Sequence, residues 1–583
     1  MAHLPSSRGR LGAMRPRIGW DRHDTAQEQW HTCPKRQRGV WIAITAGHRS
    51  LALPALIPAL IPALIPVLLP TLIRLARNWL TGNGTGKLTT CGTLVVIGVG
   101  LSWPLWAAAD ERPTIAPVAA HRQAHIKIPK GLLSTGATRD PGSEKLSGVG
   151  EYGGDIRIGD LDGDGTVDFV LAKAVGGIKT CYLGAFTWTG RTLWEWGDKN
   201  RRAISADDKG QTYKAESPTR PGPVLVVDID GDGRTEVVAM VLRPGVNETS
   251  WWNTGDMEFV VLDGATGEVK RRAAPAPLLE ANAYGAAGKR HRANYVHQRL
   301  LAADFRGLKR PGDFAVKIGN SVIACNERLE PLWAYRNKFS EYGEHSCYIP
   351  CVGDVDGDGR DELCGGNYVV DHDGAALWEK MMAKHNDSVA VADWDGNPAN
   401  GLEILLSGFG QVVRASGEVV VGLGKETVPH GQELRCGPFR RDVPGLQMAV
   451  RYRGHTPDIL LADRSGSVLT RFRVDTSPVN VGLETVNWHG SDAPPVLFSP
   501  CALYDGHGRK VVVIPDLPAP SGRGRMGWFH CIPAALDGSG RESVVLYDPY
   551  TDGVFVYGSK PLASDPPTGY RHTARQYNVR LMD

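Results

Sequence analysis

Gly353-Asp-Val-Asp-Gly-Asp-Gly359 has two near copies in the chain, Gly159-Asp-Leu-Asp-Gly-Asp-Gly165 and Val227-Asp-Ile-Asp-Gly-Asp-Gly233. A fixed acidic turn that recurs along one chain marks a repeat architecture. Weaker copies fill the gaps: Ala303-Asp-Phe-Arg-Gly, Ala392-Asp-Trp-Asp-Gly396, Gly437-Pro-Phe-Arg, Leu503-Tyr-Asp-Gly-His-Gly508 and Leu536-Asp-Gly-Ser-Gly540. Short apolar runs flank each copy, such as Val224-Leu-Val-Val before one and Glu236-Val-Val-Ala-Met after it. Strand, tight turn, strand is a β-hairpin.

A second phrase follows later in the repeats, as in Trp188-Thr-Gly-Arg-Thr-Leu-Trp194, Leu262-Asp-Gly-Ala-Thr-Gly-Glu268, Asp371-His-Asp-Gly-Ala-Ala-Leu-Trp378, Ala415-Ser-Gly-Glu-Val419 and Asp463-Arg-Ser-Gly-Ser-Val468. It reads as a second hairpin turn. Two hairpins make a four-stranded blade, and repeated blades make a propeller. Helical periodicity is nearly absent. The expected fold is all-β, a seven- or eight-bladed β-propeller with FG-GAP-like acidic-turn repeats, over residues 146–583.

The rest of the 583-residue chain reads differently. Residues 1–73 have no apolar periodicity at first and then a proline-punctuated apolar tract from Ala55, where a proline at every fourth position disfavours a membrane helix. They are read as a disordered extension or as sequence ahead of the true start. Residues 74–109 have the three-part layout of a secretory signal: Arg74, Arg77 and Lys87, then the apolar run from Gly92 to Leu101, then Ala107-Ala-Ala109. The alternative is a single anchor over 92–108. Residues 110–145 are read as a linker. Secretion or a periplasmic location follows, with no stable membrane span after cleavage.

Net charge is +3, which does not suggest a nucleic-acid partner, and a monomer is expected. Eight cysteines lie beyond the signal (Cys181, Cys325, Cys347, Cys351, Cys364, Cys436, Cys501 and Cys531), without a dense disulfide spacing. Cys347, Cys351 and Cys364 beside His345 are read as core residues, with Zn²⁺ binding as the alternative.

Asp160, Asp162, Asp164 and Asp168 occupy positions 1, 3, 5 and 9 of their loop, as do Asp228, Asp230, Asp232 and Glu236, and Asp354, Asp356, Asp358 and Glu362. Converging carboxylates with glycine at the bend suit Ca²⁺, here as a structural clip. Asp and Gly also make tight turns on their own account. Copies carrying Arg306 or Arg440 are expected to bind no ion.

Counting back from the turns brings histidines into register. His297 and His530 lie seven residues ahead of Asp304 and Asp537; His385 and His430 lie eight ahead of Asp393 and Pro438; His345 lies nine ahead of Asp354. Tyr152 and Arg220 hold the place in the first two repeats. Five of 17 histidines in one register position predict a funnel where first strands begin. Trp251, Trp252, Tyr295, Arg299, Arg453 and His455 are expected to open on that face, with Arg435 nearby. A cationic, aromatic-lined funnel fits an extended anionic polysaccharide. A Zn²⁺ or Ca²⁺ ion near the funnel is a further option.

With these phrases in place, residues 146–583 resemble the propeller-type polysaccharide lyases, the rhamnogalacturonan and ulvan lyases. The resemblance rests on the acidic-turn blades, Val370-Asp-His-Asp-Gly-Ala-Ala-Leu-Trp378, His385-Asn-Asp-Ser388 and Pro444-Gly-Leu-Gln447. The later domains of many rhamnogalacturonan lyases are read as missing, which leans to the ulvan type. The resemblance implies β-elimination beside a uronic acid: neutralise the carboxylate, remove the C5 proton, protonate the leaving oxygen. Arg435 and Arg220 are the expected carboxylate grips. His385 and His430 are the leading base and acid, ahead of His345 and His297; Tyr295 or Tyr152 is a substitute. A non-catalytic adhesion propeller for glycan or protein is the alternative. A hydrolase ranks last, because it needs paired carboxylates in the funnel.

Overall fold

A computed structural model describes residues 116–132, 155–175, 179–201, 223–245, 254–281, 300–339, 347, 350–454, 456–474, 483–499, 502–517, 530–547 and 553–578. All described residues lie within the unit 112–583. None of the described helices is long and apolar enough to cross a membrane. The sequence readings of residues 1–73 and 74–109 fall outside the described residues.

The described strands form seven sheets, all but two of their pairings antiparallel. Six sheets are built on one four-stranded meander each. The eight-stranded sheet is two such meanders joined by a single parallel pairing, Thr180 with Val241. Eight units result: 155–197, 224–273, 300–336, 351–379, 389–422, 434–473, 484–513 and 530–558.

Burial explains why the units stack. Second and third strands are buried on both faces, as in Glu236–Leu242 and Asp313–Ile318. Fourth strands are more exposed, with Thr192–Gly197 and Pro331–Arg336 sharing one pattern of exposed and buried positions. A strand buried on both faces has a sheet above and below it. The apolar side chains accordingly gather between units. One cluster joins Ile404-bearing unit 5 to unit 4 through Cys347, Cys364 and Val369, and another joins units 5 and 6 through Leu405 and Val450. The series runs through every successive pair and returns: Ile532 and Val545 of unit 8 pack with Ile156 and Phe169 of unit 1. The first strand of each unit lies against the first strand of the next, from unit 1 to unit 8.

Unit 8 supplies three of its own strands. Its fourth is His121–Lys127, which pairs antiparallel with Gly553–Gly558. Val118–Ala119 adds a parallel strand to unit 7 beside Val512 and Val513. Residues 118–127, placed in a linker on sequence grounds, are therefore part of the sheets. Their short, mixed pattern does not stand out in a sequence because their partners lie more than 390 residues away.

Two turn assignments change as well. The phrase at Leu503–Gly508 is the second turn of unit 7, between Ala502–Tyr504 and Lys510–Val513. The first turn of that unit is the stretch 487–495, which carries no acidic phrase. Asp505 Oδ1 accepts from the His507 and Arg509 N–H groups, and Asp463 Oδ1 accepts likewise from Ser465 and Ser467 in a second turn. An Asx-type turn satisfies either connection, so Asp-Gly alone does not say which one it is.

A C-terminal segment ties several units together. Gly569 and Tyr570 N–H donate to Gly165 O, Asn578 pairs with both backbone groups of Ala302, and Gln576 donates to Pro533 O. The short helix Ala574–Tyr577 touches the first strands of units 8, 1, 2 and 3. His572 sits between Tyr570 OH, 2.7 Å from Nδ1, and Val226 O, 2.6 Å from Nε2. A neutral imidazole satisfies both contacts, accepting from the hydroxyl and donating to the carbonyl. Burial holds its pKa down at about 4 against an ordinary 6.5. Between those values the unfolded chain binds a proton that the folded chain refuses, so stability falls as pH drops from about 6.5 to 4. The difference is worth on the order of 1–3 kcal/mol, discounted because part of the ring meets solvent. The thermal midpoint of the parent should fall more steeply over that pH window than that of His572→Gln; parallel curves would contradict the assignment.

Candidate functional site: a histidine pair and the acidic turns

His385 and His430 precede the first strands of units 5 and 6 by the same interval, four residues ahead of Val389 and Leu434. Because those strands lie side by side, the rings meet, with centroids 5.2 Å apart and planes inclined by 34°. The His430 side chain is 42% exposed, so it is accessible to a ligand.

The support beneath the pair was not evident in the sequence. His430 Nε2 lies 3.8 Å from Oδ2 of the buried Asp387. Gln432 Nε2 donates to the same oxygen at 2.5 Å. Asn386, also buried, donates to Asn367 Oδ1 and accepts from Gly408 N–H, which fixes the His385-Asn-Asp-Ser388 loop. His430 and Arg453 form an isolated backbone bridge, so the two expected site residues are neighbours. One step deeper, Arg451 and Glu433 form a fully buried ion pair at 2.9 Å.

Arg435 is placed differently from its expected role. It is only 8% exposed, donates to Leu434 O and pairs with Glu484 at 3.4 Å. It braces the first strands of units 6 and 7 and is not presented openly to a ligand. Tyr152, Arg220, Trp251, Trp252, Tyr295, His297, Arg299, His345 and His455 lie outside the described residues, as do Cys501 and the side chain of His530. The described cysteines are free thiols, and Cys347 and Cys364 belong to the apolar cluster between units 4 and 5.

The acidic turns lie at the other ends of the first strands. Gly163 and Gly165 have φ of 77° and 80°, which only glycine adopts cheaply, and Gly165 N–H donates to Asp160 Oδ2. The residue at position 9 reaches back to close the turn: Asp168 Oδ2 accepts from Leu161 N–H, Glu236 from Ile229 and Glu362 from Val355. The same bond recurs with Asp313, Glu403 and Gln447 in units 3, 5 and 6.

The turns differ in how their remaining oxygens are satisfied. In the first, Asp160 Oδ1, Asp162 Oδ1 and Asp168 Oδ1 are buried without a hydrogen-bond partner, and the three side chains converge within 4.8 Å. Burial pushes the Asp168 carboxyl up to about 7. In the third, Glu362 Oε1 is likewise unpartnered, its carboxyl is pushed up to about 8 by burial, and it converges with Asp354 and Asp356. Asp393, Asp395 and Glu403 form a comparable group in unit 5. Buried carboxylates that lack donors fit a hard cation.

In the second turn the protein brings its own cation. Lys270 Nζ lies 2.8 Å from Asp230 Oδ2, 2.8 Å from Glu236 Oε1 and 3.3 Å from Asp232 Oδ2. In unit 3, Arg306 Nε donates to Asp313 Oδ1 at 2.7 Å. Among the described residues, groups able to hold a metal lie at these turns, and none includes His385 or His430.

Residues 324–412 match the model of the rhamnogalacturonan lyase family 11 C-terminal domain, a stretch that includes the third acidic turn and His385. The chain is 26% identical over 371 residues to rhamnogalacturonan endolyase YesW of Bacillus subtilis, covering 56% of this chain and 53% of that one. It is 27% identical over 293 residues to rhamnogalacturonan exolyase YesX of the same organism, covering 43% of each. The chain thus spans about half the length of the curated relatives it matches. Among solved structures it is similar to rhamnogalacturonan lyase YesW, with a TM-score of 0.54, 20% identity and 76% coverage of both chains. It is also similar to a Bacillus licheniformis rhamnogalacturonan lyase, with a TM-score of 0.54, 19% identity and 78% coverage of both. The structural likeness is one of fold.

Proposed function

We propose that this protein is a polysaccharide lyase that cleaves rhamnogalacturonan by β-elimination at a mouth built around His385 and His430. The observation that carries the reading is the meeting of those two rings at 5.2 Å where adjacent first strands begin. The relatives' names favour the rhamnogalacturonan type over the ulvan type.

The chemistry needs a C5–H bond broken, a C4=C5 double bond formed and the C4–O bond cleaved, with a proton delivered to the departing oxygen. C5–H and O4 sit on adjacent carbons, so two imidazoles side by side can bracket them. One takes the C5 proton and the other supplies the proton to the leaving group. Asp387 places a carboxylate oxygen 3.8 Å from His430 Nε2, on the support side of the pair. Arg453, adjacent to His430 in backbone, is the described cation best placed to attract the uronate carboxylate.

We read the eight units as the blades of a propeller. The apolar cluster joining units 8 and 1 supports closure, as does the helix that touches both. Calcium is assigned to the first and third turns, where unpartnered oxygens converge; Lys270 replaces it in the second. When bound, the ion supplies charge neutralisation to the turn. Export through the signal at 74–109 completes the reading.

The test is incubation with rhamnogalacturonan I, polygalacturonate and ulvan, followed at the ultraviolet absorbance of unsaturated uronates. Absorbance growth with rhamnogalacturonan alone is expected. Saturable binding without new absorbance on any polymer would leave a glycan-binding scaffold in its place.

A further inference from the structure

We infer that the first turn of unit 6 forms part of a second, non-catalytic groove that binds a uronate carboxylate, at the end of the first strands opposite the histidines. The inference rests on the reading of the molecule as acting on a uronate polymer.

The sequence of this turn inverts the charge found in unit 5. Where units 1, 2, 4 and 5 carry several aspartates, unit 6 has Gly437-Pro-Phe-Arg-Arg-Asp-Val-Pro-Gly-Leu446. Position 9 is a neutral amide. Gln447 Oε1 accepts from Arg440 N–H, and its Nε2 donates to Val443 O and Gly445 O. The amide thus closes the turn internally and leaves no demand for a cation.

A cavity of about 440 Å³ opens here, between the first turns of units 5, 6 and 7. Arg440, Arg441 and Arg464 line it, over a wall that includes Val443, Pro444 and Pro494. Two of the arginines are engaged: Arg440 pairs with Asp442, and Arg441 donates to Asp492 O. Arg464 has no carboxylate partner among the described residues. Its path is built into the backbone. A Cβ on Gly445 would come within 2.2 Å of Arg464 Cδ, and one on Gly396 within 3.5 Å of its terminal nitrogens. Glycine at 445 leaves a lane for the side chain, whose guanidinium then passes Gly396 at ordinary contact distance. Its own turn is pinned by Asp463, which accepts from Ser465 and Ser467 N–H.

Asp393 and Asp492 also line the cavity. Asp393 is directed into the group it forms with Asp395 and Glu403, and Asp492, an exposed residue at the rim, accepts from Arg441 through its backbone carbonyl. A half-buried guanidinium without a counter-charge, beside an apolar wall, suits a sugar ring that carries a carboxylate. Forked donors match that carboxylate in two contacts.

The test compares the parent with Arg441→Gln/Arg464→Gln by retardation in native gels containing polygalacturonate or neutral galactan, alongside cleavage kinetics. Retardation by polygalacturonate should weaken three- to tenfold in the variant. KM for long rhamnogalacturonan should rise by a similar factor, with kcat and tetrasaccharide kinetics unchanged. Equal retardation of parent and variant would overturn the groove, whatever the catalytic result. So would retardation by galactan as strong as by polygalacturonate. If the parent is retarded through these arginines but cleaves nothing, the groove stands and only the lyase reading falls. Arg464→Gln alone, measured the same way, guards against a folding defect in the double variant.

Discussion

His430→Ala will lower the release of unsaturated product by about 10²–10⁴-fold, the range for losing one positioned general acid or base. His385→Ala should do the same, and the two together should cost little more than either alone, because groups that act as a unit are non-additive. The structural cost of the first change is small. His430 is partly exposed, and its backbone contacts, from its N–H to Tyr452 O and from Gly454 N–H to its carbonyl, do not use the side chain. The thermal midpoint should therefore move little while turnover collapses. Retained turnover in both single variants would remove these residues from the chemistry.

The largest expected change in stability comes from the layer behind that pair. Glu433→Ala would leave the Arg451 guanidinium fully buried without its carboxylate, since the two are 1% and 0% exposed and 2.9 Å apart. Removing one partner of such a pair costs about 3–5 kcal/mol. The thermal midpoint, followed by circular dichroism, should fall by roughly 3–5 °C. The double variant Glu433→Met/Arg451→Met should recover most of that loss, because two packed apolar side chains leave no stranded charge. A single variant as stable as the parent would show that water or another group satisfies Arg451. Glu433 follows Gln432, which holds Asp387, so part of the activity should fall in the single variant even well below its midpoint.

Much of this was legible in the chain. The Asp-x-Asp-Gly-Asp-Gly turns announced themselves because both the carboxylates and the left-handed glycines are dictated locally. The register of His385 and His430 was legible because the turns provide a ruler, and neighbouring first strands bring equal register positions together. What stayed hidden depends on partners distant in sequence. Lys270 reaches Glu236 from 34 residues away, and no local pattern marks an ammonium as a substitute ion. Asp387 looked like one more polar loop residue until Gln432, 45 residues on, was seen to hold it. Arg435 looked like a free cation because its partner Glu484 belongs to the next unit. The first turn of unit 7 was missed because 487–495 keeps a single aspartate, Asp492, and lacks the Asp-Gly phrase that marks most of the others.

The strand His121–Lys127 that completes unit 8 has a kinetic consequence. It emerges from the ribosome hundreds of residues before Gly553–Gly558, so it must wait, unmatched, until that strand has been made. Closing so long a loop is slow, and an open β-edge is a template for the wrong neighbour. A chain stalled after the seventh unit would carry an orphan strand and lack its acceptor, which makes truncation ahead of unit 8 a route to aggregation and ties commitment to the native state to the synthesis of that unit.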